Sequence, residues 1–186
     1  MPSIDYKFLL SLKDNFHNYK TFVETGTHKG ITIFEMEKYF DELYTIEINE
    51  ILYNNVKNKY KGNKINFILG DSSYVLNDLS NKIYNNAIFF LDGHWSSGDT
   101  GRGYKDCPLL EEIQCINNNF KNNAIIIIDD HRLFGKGPKN KQLPEDWEDI
   151  SDKKIIEIVF NRITHLYFLP SERDLQDRMV IHIKKL

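Results

Sequence analysis

The chain has 186 residues, 41% hydrophobic and 27% charged, which suits one domain with its own core and excludes general disorder. Twenty-four basic residues against 27 acidic ones leave a net charge of −3, which excludes nucleic-acid binding by bulk positive charge. Two cysteines, Cys107 and Cys115, exclude a disulfide framework, and reduced thiols are expected.

In chain order, residues 5–18 read as a leading helix with Phe8, Leu9, Leu12 and Phe16 on one face. Thr21–Thr25 reads as a strand, 29–40 as a helix, 43–48 as a strand, 50–61 as a helix and Ile65–Leu69 as a strand. Residues 72–83 form the next helical pattern, with Val75, Leu76 and Leu79 inward. Ala87–Leu91 and Ala124–Ile128 carry no polar residue, as expected of strands covered on both faces by helices. Between them, 108–120 reads as a helix that opens with proline and carries Leu109, Ile113, Ile116 and Phe120 on one stripe. Residues 134–149 read as a long loop, and Ser151 can cap a helix running to about residue 163. Residues 165–169 and 179–183 read as two strands whose connection is too short for a parallel crossover, so they should be antiparallel. The expected fold is α/β, Rossmann-like and doubly wound. Its seven-stranded sheet is mostly parallel and ends in a C-terminal antiparallel strand pair, in a single domain spanning 1–186.

Residues 1–10 interrupt their apolar stretch with Asp5 and Lys7 and lack a signal-peptide core. No apolar run approaches the roughly 20 residues of a membrane helix. A cytoplasmic protein is expected, in host cytoplasm if the source is viral. The heavy Asn, Lys and Ile usage points to an AT-rich genome.

Chemistry concentrates at successive strand ends. Glu24-Thr-Gly-Thr-His-Lys-Gly30 follows a strand and opens a helix, so Gly26, Thr27 and Gly30 line a tight turn beside free helix N–H groups. Glu47 ends the second strand, where an acid can accept both hydroxyls of a ribose. Asp71 and Ser72 end the third, where an acid beside a backbone N–H can read an adenine edge. Three such strand ends on one sheet edge make a nucleoside site. The glycine pattern, E-x-G-x-x-x-G, lacks the third glycine that cradles a diphosphate.

Residues 22–91 resemble the cofactor half of the class I S-adenosylmethionine-dependent methyltransferases. Glu24, Gly26 and Gly30 match the first motif, Glu47 the ribose acid and Asp71 the adenine acid. The C-terminal strand pair fits that family's sheet. The fourth strand runs into Asp92-Gly-His94-Trp95 and the fifth into Asp129-Asp130-His131. No Asn/Asp-Pro-Pro-aromatic motif follows the fourth strand, which counts against base methylation. The acids are similar to those of metal-dependent sugar O-methyltransferases of the macrocin O-methyltransferase type. That resemblance implies Asp92, Asp129 and Asp130 as ligands of Mg²⁺ or another divalent cation, with Asp92 also touching cofactor and reacting atoms. Three converging carboxylates would otherwise repel one another, and hard oxygen donors suit such a cation. His94 and His131 directly follow strands four and five and are the candidate bases.

The sequence therefore predicts an S-adenosylmethionine-dependent O-methyltransferase, acting on a hydroxyl of a sugar, glycan or other small polyol with help from a divalent metal. The alternatives are an NAD-dependent oxidoreductase and a catalytically silent S-adenosylmethionine-binding module. No nucleic-acid or membrane partner is expected, and a homodimer is compatible with the sheet's terminal strands. The glycine-rich connection 95–105 should border the site, with Trp95 stacking on a sugar and Arg102, Lys105 and Arg132 holding a polyhydroxyl or acidic acceptor. Selectivity should reside in the leading helix, loop 95–107 and loop 133–150.

Overall fold

The computed structural model describes residues 1–98 and 100–186; Asp99, inside the expected 95–105 connection, lies outside them. Seven strands form one sheet in the order β3-β2-β1-β4-β5-β7-β6. They are β1 (Thr21–Thr25), β2 (Glu42–Glu47), β3 (Ile65–Leu69), β4 (Ala87–Leu91), β5 (Ala124–Ile128), β6 (Ile163–Leu169) and β7 (Arg178–Ile183). The first five pair in parallel, and β7 inserts antiparallel between β5 and β6. The predicted fold class is therefore the observed one.

The alternation of side chains along the central strands makes the layers. In β4 and β5, Phe89, Leu91, Ile126 and Ile128 enter one core. Ile88, Phe90, Ile125 and Ile127 enter the other. On the first face lie α4 (Ser72–Lys82), α5 (Leu109–Asn119) and α6 (Asp152–Val159). On the second lie α1 (Tyr6–Leu10) and α2 (Ile31–Met36). Helix α3 (Glu50–Lys59) packs along β2 and β3. Each fully buried Phe or Ile contributes roughly 1.5–3 kcal/mol, so the five-residue strands β4 and β5 anchor both layers. No described helix is long and apolar enough to cross a membrane.

Three helices differ from the sequence reading, and the second, expected over 29–40, covers only Ile31–Met36. The leading helix stops at Leu10, and a 3-10 turn covers Phe16–Asn18. Local polar side chains explain the break. Asp14 accepts from the Asn15 amide, and Asn15 accepts from the His17 amide, so both compete with the helical ladder. Helix α6 is capped by Ser151 as expected but ends at Val159. Beyond it, Arg162 donates to the carbonyls of Ile116, Asn117, Asn122 and Lys184. Both cysteines are free thiols.

Candidate active site

The β1–α2 turn builds the first wall. Gly26 has φ +80°, and a Cβ there would overlap the Asp92 carbonyl, so the turn can approach the end of β4 only as glycine. Gly30 caps α2 in the left-handed region. Thr27 and Thr45 share a 2.6 Å hydrogen bond, and Thr45 donates to Glu24 at 2.6 Å. The Thr27 hydroxyl is thus engaged within the protein. Glu24 is 2% exposed. Burial raises its pKa to about 8, with the Thr45 hydroxyl opposing and the Glu47 charge adding.

Glu47 accepts the amides of His28 and Asn49, each at 2.8 Å, one on each carboxylate oxygen. Each oxygen retains a second lone pair for a diol. Asp71 caps α4 by accepting the Ser73 amide at 3.0 Å and hydroxyl at 2.6 Å on Oδ1. Its Oδ2 lies against Gly103. Of the residues expected at a nucleoside, Gly26, Glu47, Asp71, Ser72 and Asp92 line one cleft, and Glu24, Thr27 and Gly30 do not.

The connection after β4 roofs this cleft through Thr100, Gly101 and Gly103. A Cβ on Gly101 would overlap Ile48, and one on Gly103 would stand 2.7 Å from Asp71 Oδ2. Arg102 stacks on Trp95 at 4.2 Å and forms a two-point bond to Asp106, with Nε–Oδ1 at 2.6 Å. Trp95 and Arg102 therefore brace the roof against each other. Lys105 pairs with Glu111, and Arg132 with Asp130 and Asp177. All three cations expected to hold acceptor are engaged within the protein.

A second cleft opens between residues 1–5, the ends of β4 and β5, and the β6–β7 turn. Asp92, His94 and Ser96 line both clefts. Loop 133–150, expected to confer selectivity, lines neither. It packs inward through Trp147, while Pro170, Ser171, Glu172 and Arg173 take that place.

The acids at this junction do not converge as one set. Donor atoms of Asp92, His94 and Asp130 lie within 4.8 Å of one another, and a separate group joins Asp129, Asp130 and Asp177. Arg178 Nε holds Asp129 Oδ1 at 3.2 Å, and Arg132 bonds both Asp130 and Asp177. The expected grouping of Asp92, Asp129 and Asp130 is not the one found: Asp129 faces Arg178, and His94 stands beside Asp92 and Asp130. Burial, then the charges of Asp129 and Asp130, holds the Asp92 carboxyl well above its usual range. Burial raises Asp129 to about 6 against the Arg178 charge. Burial also lowers His94, overriding the attraction of Asp130.

His131 requires a second correction. Asp130 adopts a left-handed conformation, φ 60° and ψ 32°, and the chain then enters a 3-10 turn. That reversal sends His131 toward α6. Its Nε2 lies 2.8 Å from Asp152, its Nδ1 3.1 Å from the Gln176 carbonyl, and its ring rests on Phe134 and Phe168. It lines neither cleft. The sequence reading missed Arg178, which reaches across the site from β7. It also missed Glu112, buried beneath it.

The sequence matches no protein-family profile, and no curated protein matches it. Solved structures do match. The O-methyltransferase TomG of Streptomyces achromogenes, solved with S-adenosylmethionine, aligns at TM-score 0.64 and 13% identity, over 92% of this chain and 75% of TomG. SMU.1697c of Streptococcus mutans, solved with S-adenosylhomocysteine, aligns at 0.54 and 15%, over 91% of this chain and 90% of that one. An rRNA methylase of Streptococcus thermophilus aligns at 0.51 and 15%, over 91% and 88%. The fold is that of class I methyltransferases.

Proposed function

We propose that this chain is an S-adenosylmethionine-dependent O-methyltransferase whose acceptor is a small polyhydroxylated molecule such as a sugar or glycan. The carrying observation is that a nucleoside-type cleft and a polar second cleft share Asp92 and His94. Bound cofactor would supply an activated methyl group on a sulfonium centre. Glu47 would take the ribose hydroxyls, and Asp71 with the Ser72 amide the adenine edge. Asp92 would face the cationic end. His94, kept neutral by burial, would accept the acceptor's hydroxyl proton while the oxygen attacks the methyl carbon and the thioether leaves. Asp130 holds the opposite ring nitrogen. In the second cleft the acids Asp5, Asp92, Asp129, Asp130, Glu172 and Asp177 outnumber Arg173 and Arg178, a balance that disfavours a phosphate backbone and supports a small acceptor over nucleic acid.

A divalent cation would be held by Asp92, His94 and Asp130, whose mixed oxygen and nitrogen donors fit one, and it would lower the acceptor's pKa. The imidazole cannot hold a cation and take a proton at once. The arginines already on Asp129 and Asp130 favour the metal-free base.

Calorimetry with S-adenosylmethionine, S-adenosylhomocysteine and NAD tests the donor. Labelled methyl transfer to glycans, polyols, diols and RNA tests the acceptor. Binding of NAD alone, or transfer to RNA alone, would overturn the proposal.

A further inference from the structure

Glu112 is 1% exposed. Its neighbours on the inward face of α5, Leu109, Ile113 and Ile116, are all aliphatic. A carboxyl in such a place costs stability unless its oxygens are engaged. Burial raises it to about 7, and the nearby hydroxyls of Ser72 and Thr25 oppose the rise.

Those hydroxyls stand at the ends of different strands. Thr25 ends β1, and its Oγ1 also accepts the Asp92 amide at 3.2 Å. Ser72 follows Asp71 at the end of β3. A Cβ on Gly93 would stand 2.9 Å from both Glu112 Oε1 and Thr25 Oγ1, so the carboxyl sits directly under the turn after β4. One side chain thus meets the ends of β1, β3 and β4, the three strand ends that carry Thr25, Asp71 and Asp92. Glu112 Oε1 and the Trp147 indole nitrogen have no hydrogen-bond partner among the described residues. Both residues line a cavity of about 10 Å³ below Gly93, close to the room one water needs. An acceptor and a donor facing one such space are complementary. Glu112 does not line the donor cleft itself, so any effect on ligand passes through the loops it holds.

We propose that Glu112 is a positioning residue that clamps the ends of β1, β3 and β4 so that Asp71 and Asp92 face one ligand. The inference rests on reading that cleft as an S-adenosylmethionine site. An apolar side chain of similar size would fill the same space and remove the polar contacts, while an amide would keep the shape and a polar group facing those hydroxyls.

The test compares full-length wild type with Glu112→Leu and Glu112→Gln by thermal melting, calorimetry with S-adenosylhomocysteine, and amide hydrogen exchange at Ser72, Asp92 and Gly93. Glu112→Leu is expected to melt no lower than wild type, because an uncompensated buried carboxyl is gone. Its affinity for S-adenosylhomocysteine should fall about tenfold or more and its loop amides should exchange faster, while Glu112→Gln returns affinity to within about threefold. Affinity in the leucine variant within about twofold of wild type would overturn the inference, as would a loss that only follows a lowered melting temperature. Should wild type itself not bind S-adenosylhomocysteine, the cofactor reading falls. The exchange measurement then decides the clamp alone: unchanged protection in Glu112→Leu overturns it, and lost protection restored by Glu112→Gln upholds it.

Discussion

His94 Nε2 lies 3.3 Å from Asp130 Oδ2, across the gap between the ends of β4 and β5. The two strands are parallel, with Leu91 opposite Ile128, so their following residues emerge on the same edge. The contact fixes the imidazole and leaves Nδ1 on the side of Asp92, 3.6 Å away. His94→Ala is expected to lower turnover by about 100-fold or more while cofactor affinity changes less than about threefold. Asp130→Asn should fall between the variant and wild type. Labelled methyl transfer and calorimetry check this; equal losses in both would assign His94 to binding.

If His94 is the base, a metal competes with the proton for its lone pair. EDTA is then expected to leave methyl transfer unchanged, and millimolar Mn²⁺ to inhibit it. Activity lost to EDTA and regained with Mn²⁺ would reverse the assignment. An anomalous signal within the Asp92–His94–Asp130 group in crystals grown with Mn²⁺ would locate the ion.

Glu24 gives the stability a pH dependence of known sign. Its pKa rises from an ordinary 4.5 to about 8 on folding. Across that window the folded protein holds a proton that the unfolded chain has lost, so stability falls as pH rises and levels above about 8. The slope approaches ~1.4 kcal/mol per pH unit for one such group. Glu112, raised to about 7, adds the same sign over a shorter window. Glu24→Gln should raise the melting temperature at pH 8 and flatten the profile from pH 5 to 9, since an amide oxygen still accepts from Thr45. A wild-type melting temperature that climbs over this range would contradict the assignment.

Gly26→Ala combines a left-handed φ with overlap on the Asp92 carbonyl. It is expected to cost roughly 2–4 kcal/mol and to abolish cofactor binding. Gly98→Ala is the control. Its φ of +63° is also left-handed, yet none of the described residues beyond its chain neighbours lies within 4 Å of the added methyl, so about 1–2 kcal/mol is expected, from conformation alone. Urea denaturation separates the two.

Arg162 serves stability rather than chemistry. Its buried guanidinium satisfies four carbonyls, with the shortest bond, 2.7 Å, to Asn117. Arg162→Met should cost roughly 2–5 kcal/mol by leaving those acceptors unpaired. Arg162→Lys should recover only part of this, because an ammonium lacks the planar fork. Turnover per folded molecule should not change.

The strands were legible because burial on both faces writes itself as uninterrupted apolar runs, as in Ala124–Ile128. Glu24, Gly26, Glu47 and Asp71 were legible because parallel βα units deliver their strand ends to one edge. The side chain of His131 was not, since its direction depends on the left-handed turn at Asp130, which adjacency in sequence does not encode. Arg178 reaches Asp129 by a tertiary path that no spacing rule connects. Glu112 did leave a signal: it falls three residues after Leu109 and four before Ile116, on the stripe read as core. A lone carboxyl at an inward position marks a buried polar function.

The sheet order also constrains the sequence of assembly. β7 comes after β6 in the chain but lies inside the sheet, so β6 has no strand neighbour until β7 is threaded beside β5. The β1–β4 half can form from successive short-range βα units. The second cleft needs Arg178 and the β6–β7 turn, whose partners Ser3 and Asp129 are remote in sequence. Non-local pairings of this kind form slowly. On the proposed function, the acceptor cleft is expected to mature after the donor half, and a lesion in β7 to uncouple methyl-donor binding from transfer before it unfolds the rest.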